Sequence, residues 1–404
     1  MAGRITDAQR RRRLVSRHGL VTATRPYDAG TAALDVVSLH ATDPASVYLS
    51  VWARVDGVTH DDIDRALYDD RSIVKHMAMR RTVWGVPASM LAVVQAAASD
   101  DIATRQRRGL AREIVKAGVS DDGEAWVARA EEAALTLLAE TGPASGRELS
   151  KRLPILQAKV RYGNGRWAQT LGVTTRLTTI LSASGRVTRA RPGGPWHDRQ
   201  PRWVLMSHWA PSTAAEQTIP ADQARARLAD AYLRRFGPAT LDDVVWWTGW
   251  TLTQTRAALL DCAAVEVRLD HDPPGFVAAD DPDVGAADDD AGDASDDERS
   301  VVLLPSLDPT TMGWKHRDWY LGAHRVRLFD TYGNAGPTIW HAGRVIGGWA
   351  QVPGGEVVVH LLEPVGTDIA EIVDAEAARL TRWLGGTMVR PSFPTPLQRE
   401  LAGA

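Results

Sequence analysis

Residues 222–278 read DQARARLADAYLRRFGPATLDDVVWWTGWTLTQTRAALLDCAAVEVRLDHDPPGFVA. A long amphipathic helix runs to the Gly237-Pro238 joint, where proline stops it and glycine permits the turn. A short helix of the form x-V-V follows, then a helix opened by Thr251, then two β-branched runs with a turn between them. The order is helix, short turn, helix, strand pair, which predicts a winged helix: two helices crossing through a tight turn, the second able to enter a groove, with a β-hairpin wing beside it.

The same order occurs once more upstream. Residues 124–209 run through EAWVARAEEAALTLLAE to a second Gly-Pro joint, Gly142-Pro143, then GRELSKRLP, a helix opened at Thr174, and the strands around GRVTRARP and RWVLMSHW. Residues 7–98 read as helices with short joints: one capped by Asp7 and ended by Gly19, a helix end at His40 to Thr42 before Pro44, a capped helix from Thr59, a second helix after Asp69-Asp70, and a strand at TVWGVP. After residue 300, VVLLPSLDP, HRVRLF, TIWHAGRVIGGWAQV and EVVVHLLE are strand-length runs separated by glycine-bearing turns, predicting a small antiparallel sheet or barrel. DIAEIVDAEAARLTRWLGG closes this part as an amphipathic helix.

With 404 residues the chain exceeds one ordinary domain. No run approaches the roughly 18 apolar residues of a membrane span, and the N-terminus MAGRITDAQRRRRLVSR lacks an apolar signal core, so a cytoplasmic protein is expected, nucleoid-associated if bacterial. Cys262, the single cysteine, excludes a disulfide framework and cysteine-based zinc sites, and with them zinc fingers and zinc deaminases. Fifteen Trp against four Phe reflect high-GC codon usage together with the abundant Ala, Arg, Gly, Asp and Val.

The net charge of −3 conceals an asymmetry: ten of the 50 acidic side chains fall in residues 280–298, DDPDVGAADDDAGDASDDE, leaving 47 basic against 40 acidic groups elsewhere, net +7. Low complexity predicts an exposed disordered loop there. The mildly basic remainder is compatible with nucleic-acid binding and also with an ordinary soluble surface.

Three groups of basic residues are candidate DNA contacts. SGRVTRARPGGPWHDRQPRWV, residues 184–204, carries Arg186, Arg189, Arg191, Arg199 and Arg202, with Trp196 at the apparent hairpin tip. Alternation places 189 and 191 on one strand face, where they can meet phosphates. RQRRGLAREIVK at 105–116 puts Arg105, Arg108 and Arg112 on one helical face. Lys315 and Arg317, in TTMGWKHRDWYLG, could add contacts, while the Trp residues of that segment suit packing. No metal-binding run, nucleotide fingerprint or Ser-His-Asp motif stands out, and no cofactor is expected.

Four stretches carry a family resemblance: LDVVSLHATDPASVYLSVWARV, DRSIVKHMAMRRTVWGVP, LLPSLDPTTMGW and GRVIGGWA. With the paired winged helices, the chain resembles the winged-helix DNA-binding protein family that contains the AlkZ and YcaQ crosslink-repair DNA glycosylases, over nearly its whole length apart from 280–298. The resemblance implies an α+β fold of tandem winged helices with a C-terminal antiparallel β-barrel. It divides the chain into an N-terminal winged-helix unit with connecting helix (1–120), a second winged helix with the basic wing (121–215), a third (216–279), the acidic loop (280–299), and barrel with C-terminal helix (300–404). It implies a monomer that embraces double-stranded DNA, alkylated or crosslinked, and excises damaged purines by metal-free hydrolysis.

The family's Gln-x-Gln or Gln-x-Asp motif falls here on Leu39-His40-Ala41-Thr42-Asp43-Pro44, so the two polar positions are His40 and Thr42. Hydrolysis of a cationic alkylpurine needs a positioned water and stabilisation of a sugar cation more than it needs leaving-group protonation. His40 could take the proton of that water, Thr42 could orient it, and Asp43 could supply negative charge. Equally, His40 and Thr42 could finish a helix while Asp43 caps the next. Two further functions stay open: a non-catalytic DNA-binding regulator or damage sensor, and sequestration of a DNA-reactive metabolite.

Overall fold

A computed structural model describes residues 3–162, 169–209, 219–282, 300–391 and 393–403. The chain is a mixed α+β protein made of helices and several small sheets, and it divides into two compact units, 1–64 with 226–404, and 65–225.

In the first unit, helix Asp7–Arg17 is capped by Thr6, which exchanges hydrogen bonds with Gln9, so Asp7 is the first helical residue and not the cap. Gly19, at φ +62°, lets the chain leave the helix. The basic run of this helix is not a solvated face. Arg10 is buried, paired with Asp272 at 2.6 Å and laid over the Trp319 ring, and Arg13 and Arg17 both pair with Asp281. Asp281 is itself buried, and Asp280 pairs with Arg234, so the start of the acidic tract belongs to the folded body. Residues 283–298 of that tract lie outside the described residues.

The quoted stretch folds as helix Ala221–Phe236, strand Ala239–Thr240, helices Leu241–Thr248 and Leu252–Asp261, and the hairpin Val265–Leu269 with Gly275–Val277. Thr240 and Thr251 are both N-caps with reciprocal bonds to Asp243 and Gln254. The hairpin continues into a four-stranded sheet, with Ala239–Thr240 on one edge and the N-terminal strand Arg4–Ile5, parallel to Val265–Leu269, on the other.

The C-terminal strands Val301–Leu304, Thr338–His341, Arg344–Gln351 and Val357–Leu361 form an antiparallel sheet in chain order. Among the described residues it does not close into a barrel. HRVRLF, expected as a strand, folds as the helical turn Arg325–Leu328, and helix Thr367–Leu384 covers both edge strands. A side chain at Gly347 would come within 2.3 Å of the His360 carbonyl, so strand Arg344–Gln351 approaches the edge strand Val357–Leu361 this closely only because glycine stands there.

Arg54 joins three parts of this unit. Its Nε donates to the His18 carbonyl at 3.0 Å, Nη1 to the Ser50 carbonyl and to Asp308 Oδ2, and Nη2 to Asp308 Oδ1 and Thr310 Oγ1, the last four at 2.8–2.9 Å. All five N–H groups have acceptors, and both charged side chains are fully buried.

The second unit repeats the pattern of the first: helix Gly123–Thr141, strand Ala144–Ser145, helices Gly146–Arg152 and Val173–Ala183, and the hairpin Val187–Arg189 with Arg202–Leu205. Leu149, Leu177, Leu181 and Trp126 meet in its core. An additional hairpin, Lys159–Tyr162 with Gln169–Gly172, stands between its two short helices. Gly172 therefore takes the cap position expected at Thr174, whose hydroxyl donates instead to the Leu156 carbonyl. The helix expected after Asp70 is a strand, Ile73–Ala78, paired antiparallel with Thr82–Pro87. All six of its residues are buried, so the alternation that marks a half-buried strand is missing.

Two buried histidines set the acid response. Burial drives His18 down to about 3, while its ring bridges the Thr310 hydroxyl and the Arg235 carbonyl. Burial likewise drives His76 down to about 4. Both stay neutral in the fold, whereas in the unfolded chain they take up protons near an ordinary pKa of about 6.5. Stability is therefore expected to fall as pH drops below that value, with each histidine contributing up to about 1.4 kcal/mol per pH unit. Thermal melts should be similar at pH 8 and 7 and clearly lower at pH 5; equal melting temperatures at pH 7 and 5 would contradict the neutral-histidine assignment.

Candidate nucleic-acid interface and motif site

The motif segment begins with a strained turn. Val37 has φ +62°, a left-handed conformation that costs a β-branched residue about 1–3 kcal/mol. The Ser38 amide closes the turn on the Val36 carbonyl, and the chain then enters a two-residue strand, Leu39–His40, where a helix end was expected. His40 is only 4% exposed. Thr42 is on the surface, and Asp43 caps helix Pro44–Trp52 by accepting from the Ala45 amide at 3.2 Å. Asp43 also stands in the wall of a cavity of about 520 Å³ in the same unit, which Ser46, Trp349 and Arg399 help to line. Among the described residues, no three His, Cys, Asp or Glu side chains gather as a metal site.

The candidate DNA contacts divide by what else they touch. On helix Asp100–Lys116, Arg105, Arg108 and Arg112 are exposed on one face and form no ion pair among the described residues. Arg107, on another face, is bound to Glu124 and Glu131. The hairpin arginines are mostly engaged within their own unit. Arg186 pairs with Glu131 at 3.4 Å; Arg202 reaches the Pro143 carbonyl and Glu148; Arg191 pairs with Asp69 and lies over the Tyr68 ring. Arg189 is stacked over Trp203 and lowered to about 10 by burial. Trp196 is half-buried with its ring against His197, and Arg199 is exposed.

In the other unit Lys315 is exposed and paired with Asp242 at 2.7 Å. Arg317 is 4% exposed between the rings of Trp246 and Phe329, and burial lowers its pKa, so it packs the unit and is not a surface cation. Sequence reading missed Lys75, a buried lysine that donates to the Tyr68 hydroxyl at 2.6 Å. Nothing in the local pattern IVKHMA marks it. The cavity was also missed, because its wall is assembled from the motif segment, the C-terminal sheet and the chain after residue 384.

Residues 33–383 match the family model described as DNA glycosylase AlkZ-like. The chain belongs to that family. Its fold is similar to that of the Streptomyces sahachiroi DNA glycosylase AlkZ, with a TM-score of 0.69 at 18% identity over 94% of this chain and 97% of that one. No curated protein sequence matches the chain.

Proposed function

We propose that the protein binds duplex DNA and excises alkylated or otherwise bulky purines by hydrolysis of the N-glycosidic bond, acting as a monomer. The observation that carries the reading is the family motif segment ending at a cavity wall, with Asp43 in the wall and His40 three residues before it. An alkylated purine is already a good leaving group, so the protein has to position water and stabilise a sugar cation. A neutral His40 accepts the water proton, and the Asp43 carboxylate lowers the energy of the cation. Both helix-and-hairpin repeats are read as winged helices, and the exposed arginine face of helix Asp100–Lys116 is read as the main phosphate contact. Incubation with duplex DNA carrying N7-alkylguanine, followed by a test for abasic sites, decides the activity.

A non-catalytic DNA-binding role is the second reading. It is favoured by His40 and Thr42 standing where the glycosylases carry glutamine or aspartate, and by the burial of His40.

Both readings expect salt-dependent binding of unmodified duplex. Changing Arg105, Arg108 and Arg112 together to alanine should weaken it on every sequence and reduce the salt slope by about 2.7, or about 0.9 per lost phosphate contact. Fluorescence anisotropy at several salt concentrations measures this. Absence of binding by the wild type at low salt would remove both readings.

A further inference from the structure

Large apolar side chains exposed singly are ordinary on a protein surface. Tyr332 and Phe393 are not single. They are 76% and 57% exposed, come from separate segments of the unit formed by residues 1–64 and 226–404, and meet edge to face with ring centroids 5.3 Å apart.

Constrained backbone holds both rings out. Tyr332 stands in a turn closed by the Phe329–Ala335 bridge. Inside it the Asp330 carboxylate accepts from the Tyr332 and Asn334 amides at 2.8 and 2.9 Å and from the Asn334 side chain at 2.9 Å, and Gly333 supplies φ +83°. Phe393 stands between Pro391 and Pro394, whose rings fix φ, and Thr395 caps helix Pro396–Leu401 just beyond. Arg327 and Glu400, paired at 2.5 Å, tie the two segments together. Rings presented in this way have little freedom left to lose on binding, which lowers the cost of holding a partner.

Size and charge identify the partner. Two rings offer far less than the roughly 800 Å² per side of a stable protein interface, but an edge-to-face pair forms a corner that takes one flat ring. Arg325, in the helical turn before Tyr332, and Arg399, in the helix after Phe393, are exposed and have no ion pair among the described residues. Aromatic faces beside guanidinium groups hold an unpaired base by stacking and its phosphates by charge.

We propose that Tyr332 and Phe393 form a stacking platform for an unpaired base of a DNA strand, with Arg325 and Arg399 meeting the flanking phosphates. The platform rests on the DNA binding proposed above. Pro391 and Pro394, on either side of Phe393, line the cavity that Asp43 also lines, so a base stacked at this rim keeps the strand open beside the motif segment.

The test uses the full chain and three DNAs of one sequence: a fully paired duplex, the same duplex with a one-nucleotide bulge, and the single strand. The wild type is expected to prefer the bulged duplex over the paired one in fluorescence anisotropy. Tyr332→Ala with Phe393→Ala should weaken binding of the bulged duplex at least about tenfold, the loss expected when stacking on two rings is removed, and change binding of the paired duplex by less than about twofold. Tyr332→Phe keeps the ring and should retain the preference. Both side chains are exposed, so the variants should melt with the wild type, and either single alanine variant serves if the double one does not fold.

A wild type that binds paired and bulged duplex equally, or a folded double variant that keeps the preference, would overturn the platform and leave duplex binding intact. So would a double variant that loses affinity for both duplexes alike. Single-strand binding that depends on the two rings, in a protein without affinity for the paired duplex, would leave the platform standing and remove the proposed duplex function. A wild type that binds none of the three DNAs removes both.

Discussion

Asp308→Ala is expected to destabilise the unit formed by residues 1–64 and 226–404 by about 3–5 kcal/mol, the usual cost of leaving one partner of a buried ion pair uncompensated. The cost arises because Arg54 keeps its charge at zero exposure and loses the acceptor of two of its five donated hydrogen bonds. Ser50 loses its acceptor as well, at 2.6 Å, and helix Pro309–Met312 loses the cap that Asp308 provides through the Thr310 amide. Arg54→Met with Asp308→Leu should cost much less than the single change, since it removes both charges and fills the space. Urea unfolding of the three proteins measures the coupling. A single variant within about 0.5 kcal/mol of the wild type, the range of ordinary surface substitutions, would show that Arg54 finds another partner or water.

The pair also adds to the acid response. Burial pushes the Asp308 carboxyl upward, but the Arg54 guanidinium and the bonds from Ser50 and Thr310 outweigh it and hold the group below its ordinary range. Its contribution is therefore complete above the unfolded carboxylate value of about 3.9 and is lost as pH falls through the lower folded value, beneath the window in which the histidines begin to act.

Arg54 and Asp308 show what was legible in the sequence and what was not. Each belongs to a stretch that carries the family resemblance, SVWARV and PSLDPTT, yet no local pattern says that residues 254 positions apart form one bidentate pair. The repeats were legible because their punctuation is local. Gly-Pro joints and the Thr251 capping box act within a few residues, and the folded repeats keep them. Strand Ile73–Ala78 was misread as helix because both its faces are buried, which erases the period of two.

Barrel closure was a tertiary question. The strand runs were visible, but whether the edges meet depends on what helix Thr367–Leu384 covers. The hairpin arginines were visible as charges, while the acids that engage them, Glu131 and Asp69, are 55 and 122 residues away. Spacing thus identified basic segments, and only the folded unit separates Arg105, Arg108 and Arg112 from cations already paired.

His40→Ala is expected to lower the single-turnover excision rate roughly 10²-fold or more if His40 takes the proton of the attacking water, with DNA affinity little changed. Because His40 is buried, a melt must accompany the rate, and His40→Gln supplies a variant that fills the site and retains a hydrogen-bonding group. His40→Gln with Thr42→Gln rebuilds the glutamine pair and should raise or create excision if the rest of the site is intact. An inactive wild type with an active double variant would mark a glycosylase scaffold serving as a binder. If both are inactive on every alkylated duplex while binding DNA, the excision reading fails and the regulator reading replaces it. A wild type that is active and indifferent to His40→Ala moves the chemistry to Asp43, a residue of the cavity wall. Asp43→Asn then becomes the deciding substitution: it keeps an oxygen to cap helix Pro44–Trp52 while removing the charge that a sugar cation would need.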